Sequence, residues 1–378
     1  MKIETFELER YQSLWENTVR INLTESGVHP YTLDELLEKE EIETLLDLRL
    51  GYGQTNGAIE LREAICKLYS GMTIDNVLVT NGSAEANFVC MWSILEPDDE
   101  VLIMLPNYMQ IWGIARSFGV KVKPFYLKEE LNWAPDLEEL KKLISKKTKM
   151  IAICNPNNPT GAVLSDDAMQ EIIKLARQAD AWVYADEIYR GAELKGDETP
   201  SFIGRYDKVI VAAGLSKAYA LPGLRLGWLV GPSDIIDNAW HHHDYTSISS
   251  GVVSQYTAAR VLQPGKRINV LTRSRDMLNE NLALLQEWIG SHSQLFSLVP
   301  PKAGGMAFMS YNMAINSSEL STKLRTEKSV FVVAGDWYGM DHYLRLGIGG
   351  EKAKLLEGLN LVDETLTELD IVPRGLSS

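Results

Sequence analysis

Between residues 77 and 231 the chain alternates β-rich runs with amphipathic segments, and this alternation leaves few folds open. VLVT, EVLIMLP, KVKPFYL, MIAIC, WVYAD, KVIVAA and RLGWLV read as strands, rich in β-branched and aromatic residues. Between most of them lie helical patterns such as DLEELKKLIS and SDDAMQEIIKLARQ, where Ser165 followed by acids suits a helix N-terminus. Parallel neighbours need a crossover, so the pattern predicts a mostly parallel sheet sandwiched by helices. The last pair differs: only about ten residues, Pro222 and Gly223 among them, separate VIVAA from RLGWLV, near the lower limit for a crossover. The final strand is therefore expected to run antiparallel. The fold class is α/β, with a seven-stranded sheet in a large domain and a smaller α+β domain beside it.

After Pro264-Gly265 the texture changes. Ile268, Leu271, Leu278, Leu282, Leu285 and Ile289 fall on one helical face and predict one long helix. Short β-like pieces follow, GGMAFMSY, SVFVV and YLRLGI, then a helix near KLLEGLNLVDETL and a tail, VPRGLSS, expected to fray. The division expected is 46–264 for the large domain, with 1–45 and 265–378 forming a discontinuous small one.

Composition narrows the function classes. With 37 basic and 51 acidic residues the net charge is −14, which argues against nucleic acid or an anionic membrane as partner. No run approaches the ~18 apolar residues of a membrane span. The start, MKIETFELERYQ, alternates charged and apolar residues and is not a signal peptide. Cys66, Cys90 and Cys154 are scattered and lack metal spacing, so they read as reduced thiols of a cytoplasmic protein.

The chemistry-bearing stretches sit where the strands end. NGSAEA (81–86), PNY (106–108), NPNNPTG (155–161) and LSK (215–217) each follow a strand, and Asp186 of DEIY closes one. Ligands of open α/β sheets bind outside the carboxyl ends of the strands, so these segments should converge on one crevice. NGSA precedes a helix, whose N–H groups can hold a phosphate; an ordinary turn would look the same. The prolines of NPNNPTG rigidify a loop whose asparagines can donate to an oxygen. In AAGLSKAYALPGLRLGW, Lys217 stands among small and apolar neighbours with no acid beside it. A lysine kept from water favours its charge less, and a neutral amine is the nucleophile that a Schiff base requires. A carboxylate ending an apolar strand costs stability unless it meets a cation, such as a protonated pyridine nitrogen. A helix cap or a salt bridge to Arg190 is the plainer reading of Asp186. Arg225, at the start of a strand, suits a phosphate or a surface ion pair. Arg345 interrupts YLRLGI and suits bidentate capture of a carboxylate, or simply an edge strand. Tyr108 offers a ring face, or is a half-buried loop tyrosine. Together they are what pyridoxal phosphate needs to act on an amino acid.

YGQTNGAIELREAI, TNGSAEA, NPNNPTG, YADEIY, LSKAYALPGLRLGW and YLRLG, in this order and spacing, carry a resemblance over nearly the whole chain. The chain resembles the class I/II aminotransferases, of the fold-type I pyridoxal-phosphate enzymes. The resemblance implies that Lys217 binds the cofactor's carbonyl carbon and then serves as base and acid at the substrate's α-carbon. It gives Asp186 the pyridine nitrogen, and Asn158 and Tyr189 the ring hydroxyl oxygen. Gly82, Ser83, Ala84, Ser216 and Arg225 would hold the phosphate, Tyr108 would stack on the ring, and Tyr52 would reach the phosphate of the partner subunit of a homodimer with shared active sites. Arg345, with Asn158, would bind the substrate's α-carboxylate, and Gly27 of ESGVHP would lie in the substrate-facing glycine loop. Relatives often carry a phosphate-binding serine three positions before the lysine. Here it is Gly214, so Ser216 must compensate. No second arginine is placed for a side-chain carboxylate, which argues against an aspartate-type substrate. NLTESGVHPYTLDELL followed by LLDLRLGYG also resembles a subgroup of capreomycidine synthase-like enzymes, in which the scaffold performs elimination and cyclisation.

Other patterns carry less. The run His241-His242-His243 invites a metal, but adjacent residues point to different faces, so a pocket rim or exposed helix face is the better reading and no metal is expected. LGYGQTNG misses the dinucleotide fingerprint and lacks a preceding strand. Adjacent Ser216 and Lys217 seldom give a hydrolase dyad, and KKLISKKTK is a solvated helix end. The expected activity is transfer of an amino group between an L-amino acid and a 2-oxo acid. A lyase or capreomycidine synthase-like cyclase is the first alternative; it needs an acid at the leaving group, for which only Tyr108, Tyr219 or a histidine of 241–243 suggests itself. A pyridoxal-phosphate-sensing regulator is the second. Such modules carry a DNA-binding segment ahead of the domain, and here the domain pattern starts within about 25 residues.

Overall fold

The computed structural model describes residues 3–368, so the tail VPRGLSS lies outside the described residues. Its larger sheet runs, in spatial order, Val77–Thr80, Gly227–Val230, Val209–Gly214, Trp182–Asp186, Thr148–Cys154, Glu100–Leu105, Lys121–Lys128 and Ala134–Pro135. The five neighbours from Val209–Gly214 to Lys121–Lys128 pair in parallel. Gly227–Val230 runs antiparallel to both its neighbours, as its short connection requires. The eighth strand, Ala134–Pro135, was not foreseen: it adds two residues antiparallel to the edge, too few to leave a pattern. Pro124 is tolerated within Lys121–Lys128 because that stretch is paired on one side only.

Period-2 geometry splits the apolar side chains between two faces. Leu78, Val101, Ile103 and Leu229 pack with Val89 and Ile236, on helices Ser83–Ile94 and Ser233–His243. Val79, Leu102 and Val211 pack on the other face with Leu61 and Ile172, on helices Ile59–Cys66 and Asp166–Ala179. The Ser165 hydroxyl caps the second of these, accepting from the Ala168 N–H at 3.2 Å.

The second sheet has the order Phe296–Leu298, Met306–Tyr311, Tyr343–Gly347, Val333–Ala334. Tyr343–Gly347 lies inside it, paired on both sides, so Arg345 is not an edge-strand residue. SVFVV is split: Val330–Phe331 pairs in parallel with Ile21–Asn22, bringing the N-terminal segment to this part of the molecule. The long helix spans Pro264–Ser291. Ile268 is 61% exposed and off its buried face, which Val270, Leu271, Leu278 and Leu285 form instead. Among the described residues no helix is long and apolar enough to cross a membrane. The three cysteines are unpaired; Cys90 and Cys154 are buried and Cys66 half-buried.

Candidate active site

The parallel strands bring Ser83, Tyr108, Asn158, Asp186 and Lys217 to one cavity of about 310 Å³. Because Gly227–Val230 runs the other way, its leading end meets the carboxyl ends of its neighbours, and Arg225 joins the same wall. Arg225 does not begin the strand as expected. It caps the short turn Pro222–Leu224 with φ +48°.

At one end of the cavity, helix Ser83–Ile94 starts beneath the Arg225 guanidinium. Gly82 has φ +81°, and a Cβ there would lie 2.6 Å from Arg225 Nη2. A Cβ on Gly227 would collide with the Ser83 backbone nitrogen. These two glycines let a helix N-terminus and a guanidinium approach, which is a cradle for an anion. Arg225 is exposed, donates to the Pro222 carbonyl at 3.2 Å, and has no carboxylate within ion-pair range among the described residues. Ala84 and Ser216 line the same wall, Ala84 with its carbonyl accepting from Gln110 Nε2 at 3.0 Å. Gly214 has a structural reason: a Cβ would lie 2.8 Å from the Leu226 carbonyl oxygen, so serine does not fit there.

Asp186 is buried at the end of its strand, where its Oδ1 accepts from the Ile188 N–H at 3.0 Å. Burial pushes its pKa up to about 6, against the opposing pull of Ile188, Asn87 and Lys217. Arg190 does not relieve it: that guanidinium pairs with Glu198 at 3.1 Å and lies 3.9 Å from Glu187. Across the cavity Asn158 Nδ2 donates to the Tyr189 hydroxyl at 3.0 Å, and Tyr189 donates to Ser26 Oγ at 2.9 Å. Burial drives the Tyr189 phenol well above its ordinary pKa, so it remains a donor. Arg345 is 1% exposed. It donates to Asn158 Oδ1 at 3.1 Å, to the Tyr338 hydroxyl at 2.6 Å and to the Thr24 carbonyl. Its Nε is buried without a partner.

Lys217 is neither fully buried nor without an acid. Its side chain is 27% exposed and its Nζ lies 3.8 Å from Glu25, contributed by the distant N-terminal segment. Gly27 backs onto it, since a Cβ there would lie 3.5 Å from Lys217 Cδ. The Tyr108 hydroxyl donates to Glu9 at 2.6 Å, and Phe6 packs edge-on against its ring. Tyr52 is 89% exposed and does not line the cavity within one chain.

Sequence reasoning missed Ser26, Tyr338, Cys154 and three acids, Glu9, Glu16 and Glu25, that also line the wall or bond to it. Ser26 and Glu25 belong to ESGVHP, where only Gly27 was given a role, while Glu9, Glu16, Cys154 and Tyr338 lie outside the quoted motifs. The absence of an acid near the chemistry was therefore a wrong expectation. The histidines are no rim. His241 is exposed, while His243 is fully buried with Nε2 3.2 Å from Glu85. No group of residues able to hold a metal occurs among the described residues. Tyr219 lies outside the cavity lining, its hydroxyl accepting from Arg267 at 2.9 Å.

These residues fit pyridoxal phosphate on three observations. A buried carboxylate has no ion-pair partner among the described residues, two glycines hold open an anion cradle that a Cβ would fill, and a buried guanidinium has an unused donor. Comparison with known proteins agrees. The model of the family "Aminotransferase class I and II" matches residues 21–361. Capreomycidine synthase of Streptomyces vinaceus is 27% identical, over 92% of this chain and 90% of its own. An aspartate aminotransferase of Pyrococcus horikoshii is 28% identical over 83% of each chain. A crystal structure of a PLP-dependent aminotransferase from Streptococcus suis superposes with a TM-score of 0.92 at 33% identity, covering 97% of this chain and 99% of that one.

Proposed function

Since the chain belongs to the class I and II aminotransferases, a family of pyridoxal-phosphate-dependent transaminases acting on amino and 2-oxo acids, we propose how its own residues divide that work. When bound, pyridoxal 5′-phosphate supplies a carbonyl that captures an amine and a protonated ring that withdraws electrons from the substrate's α-carbon. Lys217 Nζ is the amine that holds the carbonyl carbon and later carries the proton at the α-carbon. Asp186 keeps the ring nitrogen protonated, and Asn158 and Tyr189 donate to the ring hydroxyl oxygen. Gly82, Ser83, Ala84, Ser216 and Arg225 hold the phosphate, Tyr108 covers the ring, and Arg345 with Asn158 takes the substrate carboxylate beside Gly27. The observation carrying this reading is Asp186, a buried carboxylate with no ion-pair partner among the described residues, in the same cavity as Lys217 and Arg345.

The same proposal divides the chain into 46–264 and a smaller part made of 1–45 and 265–378, supported by the pairing of Ile21–Asn22 with Val330–Phe331. It makes the enzyme a homodimer in which Tyr52 completes the partner's phosphate site, supported by the exposure of Leu46, Leu50 and Tyr52. A cytoplasmic setting without nucleic acid is supported by the unpaired cysteines and the net charge of −14.

The test is a half-reaction. An L-amino acid added to the cofactor-loaded protein should change the bound cofactor's absorbance and release a 2-oxo acid; a second 2-oxo acid should restore the starting spectrum. Glu16 in the cavity favours keeping the lyase or cyclase reading as the rival, since elimination needs such an acid. Consumption of a β- or γ-substituted amino acid without any acceptor would decide for it.

A further inference from the structure

The bases on the cavity wall are Arg345, Lys217 and Arg225, and the reading above commits each of them, to carboxylate, carbonyl carbon and phosphate. What remains charged on the wall, apart from Asp186, is acid. Glu9, Glu16 and Glu25 all come from the N-terminal segment, on or after helix Glu7–Trp15. Glu9 is engaged by the Tyr108 hydroxyl at 2.6 Å. Glu25 has one cation within 4 Å among the described residues, Lys217 at 3.8 Å, which the proposed chemistry takes away. Glu16 is half-buried and has no side-chain hydrogen bond or ion pair among the described residues. Burial, then the charges of Glu25 and Glu9, push its pKa up. The Glu25 side chain is 54% exposed, so the cost of like charges falls mainly on half-buried Glu16, and an arriving cation relieves it.

A separate observation fixes how a ligand lies against this wall. Arg345 is buried, lines the cavity and has no carboxylate within ion-pair range among the described residues, so its charge is left for an incoming carboxylate. An amino acid held there, with its α-carbon in reach of Lys217, has the N-terminal wall left for its side chain. We propose that the amino donor is an L-amino acid whose side chain ends in a cation, an ammonium or guanidinium, recognised by Glu16 and Glu25. The proposal rests on the transaminase reading of the same cavity.

The probe is δ-guanidinovalerate, which carries the carboxylate and the cation but no α-amine to react. Its binding to the cofactor-loaded protein is measured by calorimetry against hexanoate, which has a carboxylate but an uncharged tail, and adipate, with a second carboxylate. The guanidino acid should bind roughly 10-fold or more tighter than hexanoate, the scale of one charge-assisted hydrogen bond, with adipate weakest. Added salt should narrow the gap. Glu16→Gln and Glu25→Gln should each shrink the guanidino-to-hexanoate ratio. Equal binding of the three acids, or a preference for adipate, overturns the proposal, and the series on the unsubstituted protein decides even where a variant does not fold. Turnover separates this failure from failure of the parent reading. If L-alanine or L-glutamate yields a 2-oxo acid as readily as L-ornithine or L-arginine, transamination stands and the cationic donor falls. If no amino acid yields one while δ-guanidinovalerate still binds preferentially, recognition stands and transamination falls.

Discussion

At the scale of single residues, Asp186 is the informative case because its position costs the protein stability until a cation arrives. Its folded pKa, about 6, is raised above the ordinary 3.8, so the penalty is absent in acid, grows as pH rises from 3.8 through 6, and is complete above that. A rise of that size corresponds to roughly 3 kcal/mol. Asp186→Asn should therefore raise the melting temperature of the cofactor-free protein by several degrees at pH 8 and by little at pH 4, as calorimetry would record. The same variant should bind the cofactor less tightly and turn over far more slowly. An unchanged melting temperature at pH 8 would mean that the carboxylate is solvated or paired in solution. Lys217→Ala makes the complementary case: it should remove nearly all turnover and the lysine-bound absorbance while the protein still retains cofactor through Asp186 and the phosphate contacts. Wild-type turnover in that variant would refute the role given to Lys217.

At the scale of elements, the phosphate cradle depends on how helix Ser83–Ile94 is anchored. Burial would raise the Glu85 pKa, but hydrogen bonds from His243, Ser247, Thr246 and the Asn81 N–H outweigh it and hold the carboxylate at about 2. This one side chain ties the helix's first turn to the loop after Ser233–His243. A carboxylate depressed on folding stabilises fully above its unfolded pKa of 4.5 and loses that contribution as pH falls toward 2. Glu85→Gln should thus cost about 2 kcal/mol in urea unfolding at pH 7, the worth of hydrogen bonds to a charged group, and much less at pH 3. The same elements show what was legible beforehand. Strands and their order of chemistry could be read because each motif adjoins a local pattern, as NGSAEA adjoins VLVT. The anchoring by Glu85 could not, since apart from the Asn81 N–H its partners are about 160 residues away and linked by no periodicity. Glu9, Glu16, Glu25 and Tyr338 stayed hidden for the same reason, as did the burial of His243. Lys217 was misjudged both in its burial and in its lack of an acid, because a local window cannot see the cavity around it or Glu25 folding across to it.

At the scale of the whole molecule, the question is whether one chain holds a complete site. Tyr52 projects from an exposed stretch, 89% exposed beside Leu46 at 79% and Leu50 at 83%. Three large apolar side chains so close in sequence are costly to leave in water, which a second copy would relieve. If Tyr52 then reaches the partner's phosphate, neither Tyr52→Phe nor Lys217→Ala homodimers contain an intact site. A mixed dimer contains one, because the first chain supplies Lys217 and the second supplies Tyr52. Random reassortment of equal amounts makes half the dimers mixed, each with one good site of two, so activity should recover to roughly a quarter of wild type. The remaining homodimers contribute only the residual rate of Tyr52→Phe. The measurement needs dissociation and reassociation before assay, with sedimentation to confirm that dimers reform. Recovery that merely equals the sum of the two separate variants would place Tyr52 outside the site, and a fully active monomer would end the shared-site proposal altogether.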